Sequence, residues 1–230
     1  MRVLGLETGG QAVSAALVGE EGVLAEAWLG KPQQHCREII ALVDWCLDRA
    51  QVTLAEVEAL AVSLGPGSFT GLRVGLAAGK AMALALGKRL VGVPTLEALA
   101  ASAWGFPGLV CPLIFSRPGE VYAAVLRLRE DLSVEYVVSP AAWPVGELLG
   151  RLPSGEEEVL LIGEAAALVA EAQDHRLPCR VKVGPPTNGR LLASQVASLG
   201  RKKIMNGGED NPLALEPLYL RPPGITLRGG

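Results

Sequence analysis

The order of apolar runs and turns near the amino terminus constrains the fold of this chain more than any other feature. Three short apolar runs cover residues 2–7, 11–18 and 23–29, and only two turns, at residues 9–10 and 20–22, separate them. Apolar runs of this length, joined by such short turns, are typical of consecutive antiparallel strands. The sequence therefore predicts that the chain begins with a three-stranded meander.

The rest of the first half alternates between helix and strand patterns. Helices are predicted over residues 33–50, 70–86 and 94–104, and strands over residues 59–64 and 89–93. Strands that are separated by crossover helices pair in parallel. A meander followed by such strands gives the order βββαβαβα, which is the half-fold of the actin/Hsp70/sugar-kinase group. This link is an analogy at the level of the fold.

The second half of the chain repeats the opening pattern. After a linker that contains glycine and proline, strand patterns follow over residues 109–115, 120–128 and 132–138. We therefore predict a two-lobed α/β protein, with residues 1–105 as an N-terminal lobe that binds a partner and residues 106–230 as a smaller C-terminal lobe. Each predicted lobe is a mixed sheet that starts with a three-stranded meander and is covered by helices.

Charge and hydropathy limit the partners of this chain. It has 230 residues, a net charge of −3 and 50% apolar residues. A protein that binds nucleic acid by itself relies on Lys and Arg, so the net charge argues against that class of protein. The longest apolar stretch, residues 72–86, contains Arg73 and Lys80 and is shorter than the roughly 20 residues that span a bilayer. Since the start also lacks a signal-peptide pattern, we expect a cytoplasmic protein that avoids membranes.

The cysteines and histidines predict neither a metal site nor a catalytic constellation. No CxxC, HExxH or HxxxH pattern occurs among the four cysteines and two histidines, which are Cys36, Cys46, Cys111, Cys179, His35 and His175. A structural zinc site needs such ligands clustered at short spacing. We therefore predict no metal ion and no catalytic residue.

Two glycine-containing segments are candidates for binding the phosphates of a nucleotide. Glu7, Thr8 and Gly9 end the first strand, where glycine allows a close backbone approach and a carboxylate could hold magnesium through water. Ser68 and Thr70 lie in the run G-P-G-S-F-T-G, whose helix amino terminus could bind an anion. The residues leave an alternative open, namely an ordinary hairpin turn and a rigid helix cap.

The helix predicted over residues 70–86 carries three glycines spaced four residues apart, Gly71, Gly75 and Gly79. Each glycine inside a helix costs about 1 kcal/mol relative to alanine, so close backbone packing against another helix should compensate. The helix is also apolar nearly all round and must be covered nearly all round, either by a partner or within the chain itself. The residues predicted to contact a partner are Leu72, Gly75, Gly79, Met82 and, on the preceding helix, Trp45.

Several motifs together show which family this chain resembles. The run G-P-G-S-F-T-G-L-R-V-G at residues 65–75, which follows a strand ending in E-T-G, is similar to the hallmark of the TsaB/TsaD family. G-V-P-T-L-E-A-L-A at residues 92–100, R-P-G-E-V-Y at residues 117–122 and P-L-Y-L-R at residues 217–221 are also similar. The resemblance is closest over the first 125 residues, and the long glycine-containing run is its most specific part.

The resemblance implies a role without catalysis. In this family a TsaD-type subunit, with a metal bound by an HxxxH helix, transfers threonylcarbamoyl to the adenosine beside the tRNA anticodon. This sequence has no HxxxH pair. The resemblance therefore implies a scaffold that binds a TsaD-like catalytic subunit through the helices of its first lobe. A TsaE-like ATPase would join that complex, and a homodimer would form when the chain is alone.

Two departures from the family pattern bear on nucleotide binding. The Asp-Thr-Ser that usually ends the first strand is Glu7-Thr8-Gly9 here, and the usual Asp-Ala-Arg of the second-lobe hairpin is Phe115-Ser116-Arg117. A phenylalanine cannot hold a metal, so we expect at most weak ATP or ADP binding. The alternative function is an ATP-dependent phospho- or carbamoyltransferase acting in the cleft between the lobes. A peptidase activity, which an old family label implies, has no Ser/His/Asp or metal motif behind it.

Overall fold

The computed structural model describes residues 1–30, 35–172, 179–185 and 189–221. The strands within these residues are β1 (Val3–Glu7), β2 (Ala12–Gly19), β3 (Gly22–Gly30), β4 (Ala59–Gly65), β5 (Arg89–Pro94), β6 (Leu109–Arg117), β7 (Glu120–Leu128), β8 (Val134–Pro144), β9 (Glu158–Ile162) and β10 (Arg180–Val183). The α-helices are α1 (His35–Ala50), α2 (Phe69–Leu86), α3 (Thr95–Ala101), α4 (Val145–Arg151), α5 (Ala166–Glu171) and α6 (Ala193–Met205).

The two halves of the chain form sheets of the same topology. The strand order is β3-β2-β1-β4-β5 in the first sheet and β8-β7-β6-β9-β10 in the second. In each sheet the first three strands pair antiparallel and the last two join in parallel. The predicted architecture, two mixed sheets that each begin with a meander, is therefore confirmed.

Helices cover both faces of the first sheet. Leu4 and Leu6 of β1 pack in the cluster that includes residues of α1 and α2, whereas Val3 packs in the cluster that includes α6. Gly5 lets α6 approach closely, because a Cβ at this position would overlap the carbonyl oxygen of Ala193. α6 comes from the end of the chain and yet covers the first sheet. The division of the chain into two lobes at residue 105 stays a prediction.

Local sequence signals set the two ends of α2. The Ser68 hydroxyl accepts a hydrogen bond from the Gly71 amide at 3.2 Å, and Gly87 ends the helix in the left-handed conformation with φ of 61°. Among the described helices, α2 alone is long and apolar enough to cross a membrane, with a mean hydropathy of 1.3. This criterion uses length and composition only, and the core helix of a soluble protein meets it as well.

The structure differs from the predicted elements at several boundaries. The first two positions of the predicted helix over residues 33–50 lie outside the described residues. α3 ends at Ala101, three residues earlier than predicted, whereas β8 continues to Pro144. β10 was not predicted, because its sequence R-V-K-V is short, half charged and mostly exposed.

Candidate functional site

The end of β1 is built around a buried carboxylate. Glu7 is only 1% exposed, and its Oε1 accepts hydrogen bonds from the amides of Gly9 at 2.5 Å and Gly10 at 3.1 Å. The glycines allow the chain to fold back over the carboxylate, because no side chain stands between the amides and the oxygen. The turn that was predicted to bind a phosphate thus binds an oxygen of its own chain.

The second oxygen of Glu7 has a different environment. Oε2 is buried without a hydrogen bond, and so is the hydroxyl of Ser63 on the neighbouring strand β4. Burial raises the pKa of Glu7 to about 7, while the Ser63 hydroxyl and the amides of Gly9 and Gly10 lower it. Ser63 is thus close enough to act on the carboxyl group, although its geometry falls short of a hydrogen bond. A proton on Oε2 would allow the carboxyl group to donate toward the Ser63 hydroxyl oxygen.

The glycines of α2 pack against the chain itself. A Cβ at Gly71 would overlap the carbonyl oxygen of Thr8, and one at Gly75 would overlap the Thr8 hydroxyl. That hydroxyl donates a 2.7 Å hydrogen bond to the carbonyl oxygen of Gly71. A Cβ at Gly79 would lie 2.5 Å from a methyl group of Val62. The glycine periodicity therefore creates a groove that receives the end of β1 and the face of β4.

The loop between β4 and α2 closes over the same turn. The Ser68 amide donates to the carbonyl oxygen of Gly9 at 2.7 Å, and Gly67 packs directly against the backbone of Gly9. The structure thus brings together Glu7, Thr8, Gly9 and Ser68, four of the five residues of the predicted nucleotide site. The fifth, Thr70, is exposed in the first turn of α2.

The placement of the predicted partner contacts requires a correction. Leu72 is 1% exposed, and Gly75 and Gly79 are buried under α2, so a protein docking on the outside would not reach these three residues. The glycines do pack closely, but against the chain's own sheet and the end of β1, and not against another helix as predicted. Met82 is partly buried against the core of the first lobe, and Trp45 is exposed.

The outer surface of the helix pair α1 and α2 is apolar along α2, whereas α1 exposes Asp44, Asp48 and Arg49 beside its apolar residues. The two helices pack against each other on the same face of the first sheet. Ile40, Trp45 and Leu84 are 44%, 49% and 54% exposed, respectively. Exposed alanines add to this outer surface at positions Ala41, Ala77, Ala81 and Ala85. We refer to these seven residues as the outer helix surface.

A cavity of about 340 Å³ lies between the two sheets, and sequence reasoning missed its residues. Its walls are largely apolar, and its polar side chains are Gln11, Glu164 and Arg190. Glu164 Oε1 accepts a hydrogen bond from the Phe115 amide at 3.1 Å, and burial raises the pKa of Glu164. The Arg190 guanidinium lies over the Trp28 ring, 5.0 Å from its centroid. The signal available in the sequence was a glycine and an acid, Gly163 and Glu164, directly after the short apolar run that forms β9.

The second-lobe hairpin contacts the end of the chain. Glu120 receives hydrogen bonds from Ser116 at 2.8 Å and from Arg221 at 2.9 Å, and pairs with Arg117 at 2.9 Å. The Ser116 hydroxyl is the main cause that lowers the pKa of Glu120, with smaller contributions from the two arginines. The motifs R-P-G-E-V-Y and P-L-Y-L-R, which are distant in sequence, therefore form one contact.

The chain segment before Arg221 docks on the start of α2. The Leu218 amide donates to the carbonyl oxygen of Leu64 at 2.7 Å. The Tyr219 ring stacks on Phe69 with centroids 5.2 Å apart, and its hydroxyl accepts a hydrogen bond from Arg73 at 3.1 Å. Arg73 also lies over the Phe69 ring at 3.9 Å. We refer to residues 217–221 as the C-terminal segment.

The thiols and acids of the described residues offer no metal ligand set. No three His, Cys, Asp or Glu side chains in that part of the chain lie close enough to hold an ion. Cys46 and Cys111 are free and buried, and burial raises their pKa values to about 11 and about 12. Such thiols are protonated at neutral pH and are poor nucleophiles. The side chains of Cys36 and His35, and all of His175, lie outside what the structure describes.

The residues present do not fit the phosphates of a nucleotide with magnesium. Phosphate binding needs free backbone or side-chain donors, yet the amides of Gly9, Gly10 and Ser68 already donate within the chain. Magnesium needs accessible carboxylates, yet Glu7 is buried, and Phe115 stands in β6 beside the cavity.

Comparisons with known proteins agree with this architecture. YeaZ from Pseudomonas aeruginosa superimposes with a TM-score of 0.81 at 24% identity, covering 95% of this chain and 99% of that chain. Component A of (R)-2-hydroxyglutaryl-CoA dehydratase from Acidaminococcus fermentans gives a TM-score of 0.53 at 11% identity, covering 89% and 99%. The two repeated sheets with a cleft between them are the two-lobed fold of the actin/Hsp70/sugar-kinase class.

Sequence comparisons identify the family. Residues 31–181 match the family model "TsaD: tRNA N6-adenosine threonylcarbamoyltransferase". The tRNA threonylcarbamoyladenosine biosynthesis protein TsaB of Escherichia coli is 37% identical, over 76% of this chain and 84% of that protein. The chain therefore belongs to the TsaB/TsaD family, and within it to the TsaB proteins.

Proposed function

We propose that this protein is a non-catalytic scaffold subunit required for threonylcarbamoyl transfer to the adenosine next to the tRNA anticodon. In this proposal it binds a TsaD-like catalytic subunit in the cytoplasm, a TsaE-like ATPase joins the complex, and tRNA contacts it only through that complex. Its membership of the TsaB proteins, whose Escherichia coli member is named for threonylcarbamoyladenosine biosynthesis, supports this role.

The outer helix surface is the observation that carries the proposal. The side chains of Trp45 and Leu84 are about half exposed. The helix α2, which carries Leu84, contains no acidic residue. Large exposed side chains among small ones favour close approach of another helix pair. We therefore assign partner contact to the outer helix surface, in place of the buried glycines. In the absence of a TsaD-like protein, the same surface would pair with a second copy of the chain.

The first prediction tests this surface by co-purification with the TsaD-like protein of the same cell. Leu84→Asp and Ala81→Glu each place a charge on the outer helix surface without touching the core, so we expect binding to weaken at least about tenfold. Because both positions are exposed, the unfolding temperature should change little. The isolated wild-type chain should elute as a dimer, and Leu84→Asp as a monomer.

A matched control lies on the opposite face of the first sheet. Met205 of α6 is 63% exposed, and Met205→Asp should leave both binding and dimerisation unchanged. If Leu84→Asp and Ala81→Glu bind the TsaD-like protein as tightly as the wild-type chain, the outer helix surface is not the interface. If no TsaD-like protein binds the wild-type chain, the scaffold role itself is wrong.

A further inference from the structure

The turn after β1 has the geometry of an anion site with its anion already in place. Consecutive backbone amides that point at one position form a concavity that binds negatively charged oxygens. The amides of Gly9 and Gly10 point at one position, and Glu7 Oε1 occupies it at 2.5 Å and 3.1 Å. A phosphate oxygen that used these two donors would have to take the place of the carboxylate.

We infer that the Glu7 carboxylate is an internal anion that fills this position and keeps phosphate-bearing ligands out of the cleft. The Glu7 side chain folds back to the amides two and three residues further on, as the side-chain oxygens of shorter residues do in Asx turns. At any pH an incoming phosphate meets two donors that are already engaged, and above about pH 7 it also meets the negative charge of the carboxylate. Glu7 is thus the residue that determines which ligands the turn accepts.

The surrounding contacts hold the internal anion in place. The Ser68 amide donates to the carbonyl oxygen of Gly9 at 2.7 Å, and Gly67 packs on the Gly9 backbone. The loop between β4 and α2 therefore covers the turn. Thr8 is tied to Gly71 through its hydroxyl at 2.7 Å. With Glu7 only 1% exposed, a ligand could reach the amides only by displacing the carboxylate and this loop together.

The unpaired second oxygen explains why a neutral side chain should be accepted here. Oε2 of Glu7 and Oγ of Ser63 are both buried without a partner. In Glu7→Gln the amide oxygen can keep the bonds from Gly9 and Gly10, and the amide nitrogen can donate to Ser63. This variant therefore keeps the position filled, whereas Glu7→Ala empties it and frees two donors.

The test is a calorimetric titration of the full chain with inorganic phosphate and, separately, with Mg-ATP. We expect no saturable binding of either by the wild-type chain or by Glu7→Gln. Glu7→Ala should bind inorganic phosphate at least about tenfold more tightly than the wild-type chain. Glu164→Gln is the matched control, because it removes a carboxylate of the cavity and leaves the turn intact; it should behave as the wild-type chain does.

Two outcomes overturn the inference: saturable phosphate or Mg-ATP binding at this turn by the wild-type chain, or a folded Glu7→Ala chain that gains no phosphate binding. If Glu7→Ala does not fold, the inference is tested by the chemical shifts of the Gly9 and Gly10 amide protons at pH 8, compared between the wild-type chain and Glu7→Gln. Loss of a charged acceptor should move both upfield in Glu7→Gln, and unchanged resonances would refute the internal anion. Because no experiment here uses a partner protein, this result stands apart from that of the scaffold proposal.

Discussion

The inner and outer faces of α2 have similar apolar compositions but opposite surroundings. The inner face presents glycines to Thr8 and Val62, where the chain leaves no room for a single methyl group. The outer face presents alanines and Leu84 to solvent. Backbone contact on one side and side-chain exposure on the other separate the part of the helix that stabilises the lobe from the part available to a partner.

The largest expected effect breaks the inner face. A methyl group at Gly71 would overlap the carbonyl oxygen of Thr8, a backbone atom that cannot rotate away. We therefore expect Gly71→Ala to lower the free energy of unfolding by roughly 3 kcal/mol or more, as severe overpacking does. Urea denaturation monitored by circular dichroism measures this change.

An opposite substitution on the outer face is the control for Gly71→Ala. Ala81 is exposed, so Ala81→Gly should cost only about 1 kcal/mol, the difference in helix propensity. On propensity alone Gly71→Ala would stabilise the helix. A Gly71→Ala chain that is as stable as the wild-type chain would show that α2 does not pack as closely as described.

The sequence predicts the close packing of α2 but not its direction. Glycine at every fourth position defines one helix face, and the propensity cost of each glycine indicates that something approaches that face. Periodicity contains no information about which element approaches. The choice between a partner and the chain's own sheet depended on Thr8, whose contact with Gly71 and Gly75 joins residues more than sixty positions apart.

The strand end beneath the inner face provides a prediction about the pH dependence of stability. Burial raises the pKa of Glu7 from 4.5 to about 7, so the folded chain binds a proton more tightly than the unfolded chain. The associated stabilisation is complete below pH 4.5 and is lost as the pH rises to about 7. Relative to Glu7→Gln, the wild-type chain should therefore lose roughly 3 kcal/mol of stability between pH 4.5 and pH 8.

The measurement is the free energy of unfolding of both chains across this pH range. Glu7→Gln should be the more stable chain at pH 8 and nearly equal to the wild-type chain at pH 4.5, because only the ionised carboxylate is costly to bury. Other groups contribute equally to both chains, so the difference between them isolates Glu7. A difference that does not vary with pH would mean that Glu7 ionises in the folded chain as it does in water.

The two sheets were easier to predict than the site between them. Apolar runs and short turns specify each meander locally, and β1 to β8 all follow from such signals. The cavity residues Gln11, Glu164 and Arg190 come from three separate turns, and each is an ordinary polar residue in its own segment. Only the packing of the two halves of the chain against each other brings these three residues together. That packing depends on long-range contacts of α3 and α6.

The smallest expected effect concerns the edge between the two faces of α2, where the C-terminal segment docks. Tyr219 stacks on Phe69 and accepts a hydrogen bond from Arg73. An aromatic pair of this kind contributes about 0.5–1.5 kcal/mol beyond the area that it buries, so Tyr219→Ala should lower the stability of the whole chain by roughly 1–2 kcal/mol. Its local effect should be clearer, since the Leu218 amide, which donates to Leu64, should exchange its hydrogen faster.

Tyr219→Phe is the matched variant, because it keeps the stacked ring and removes only the hydroxyl that meets Arg73. We expect exchange at Leu218 to rise several-fold in Tyr219→Ala and much less in Tyr219→Phe, while the amides of Gly9 and Gly10 stay protected in both. Equal exchange in all three chains would mean that the backbone bond to Leu64 and the Arg221–Glu120 pair hold the segment without the ring. Faster exchange at Gly9 and Gly10 as well would instead couple the segment to the inner face of α2 and remove the distinction between its faces.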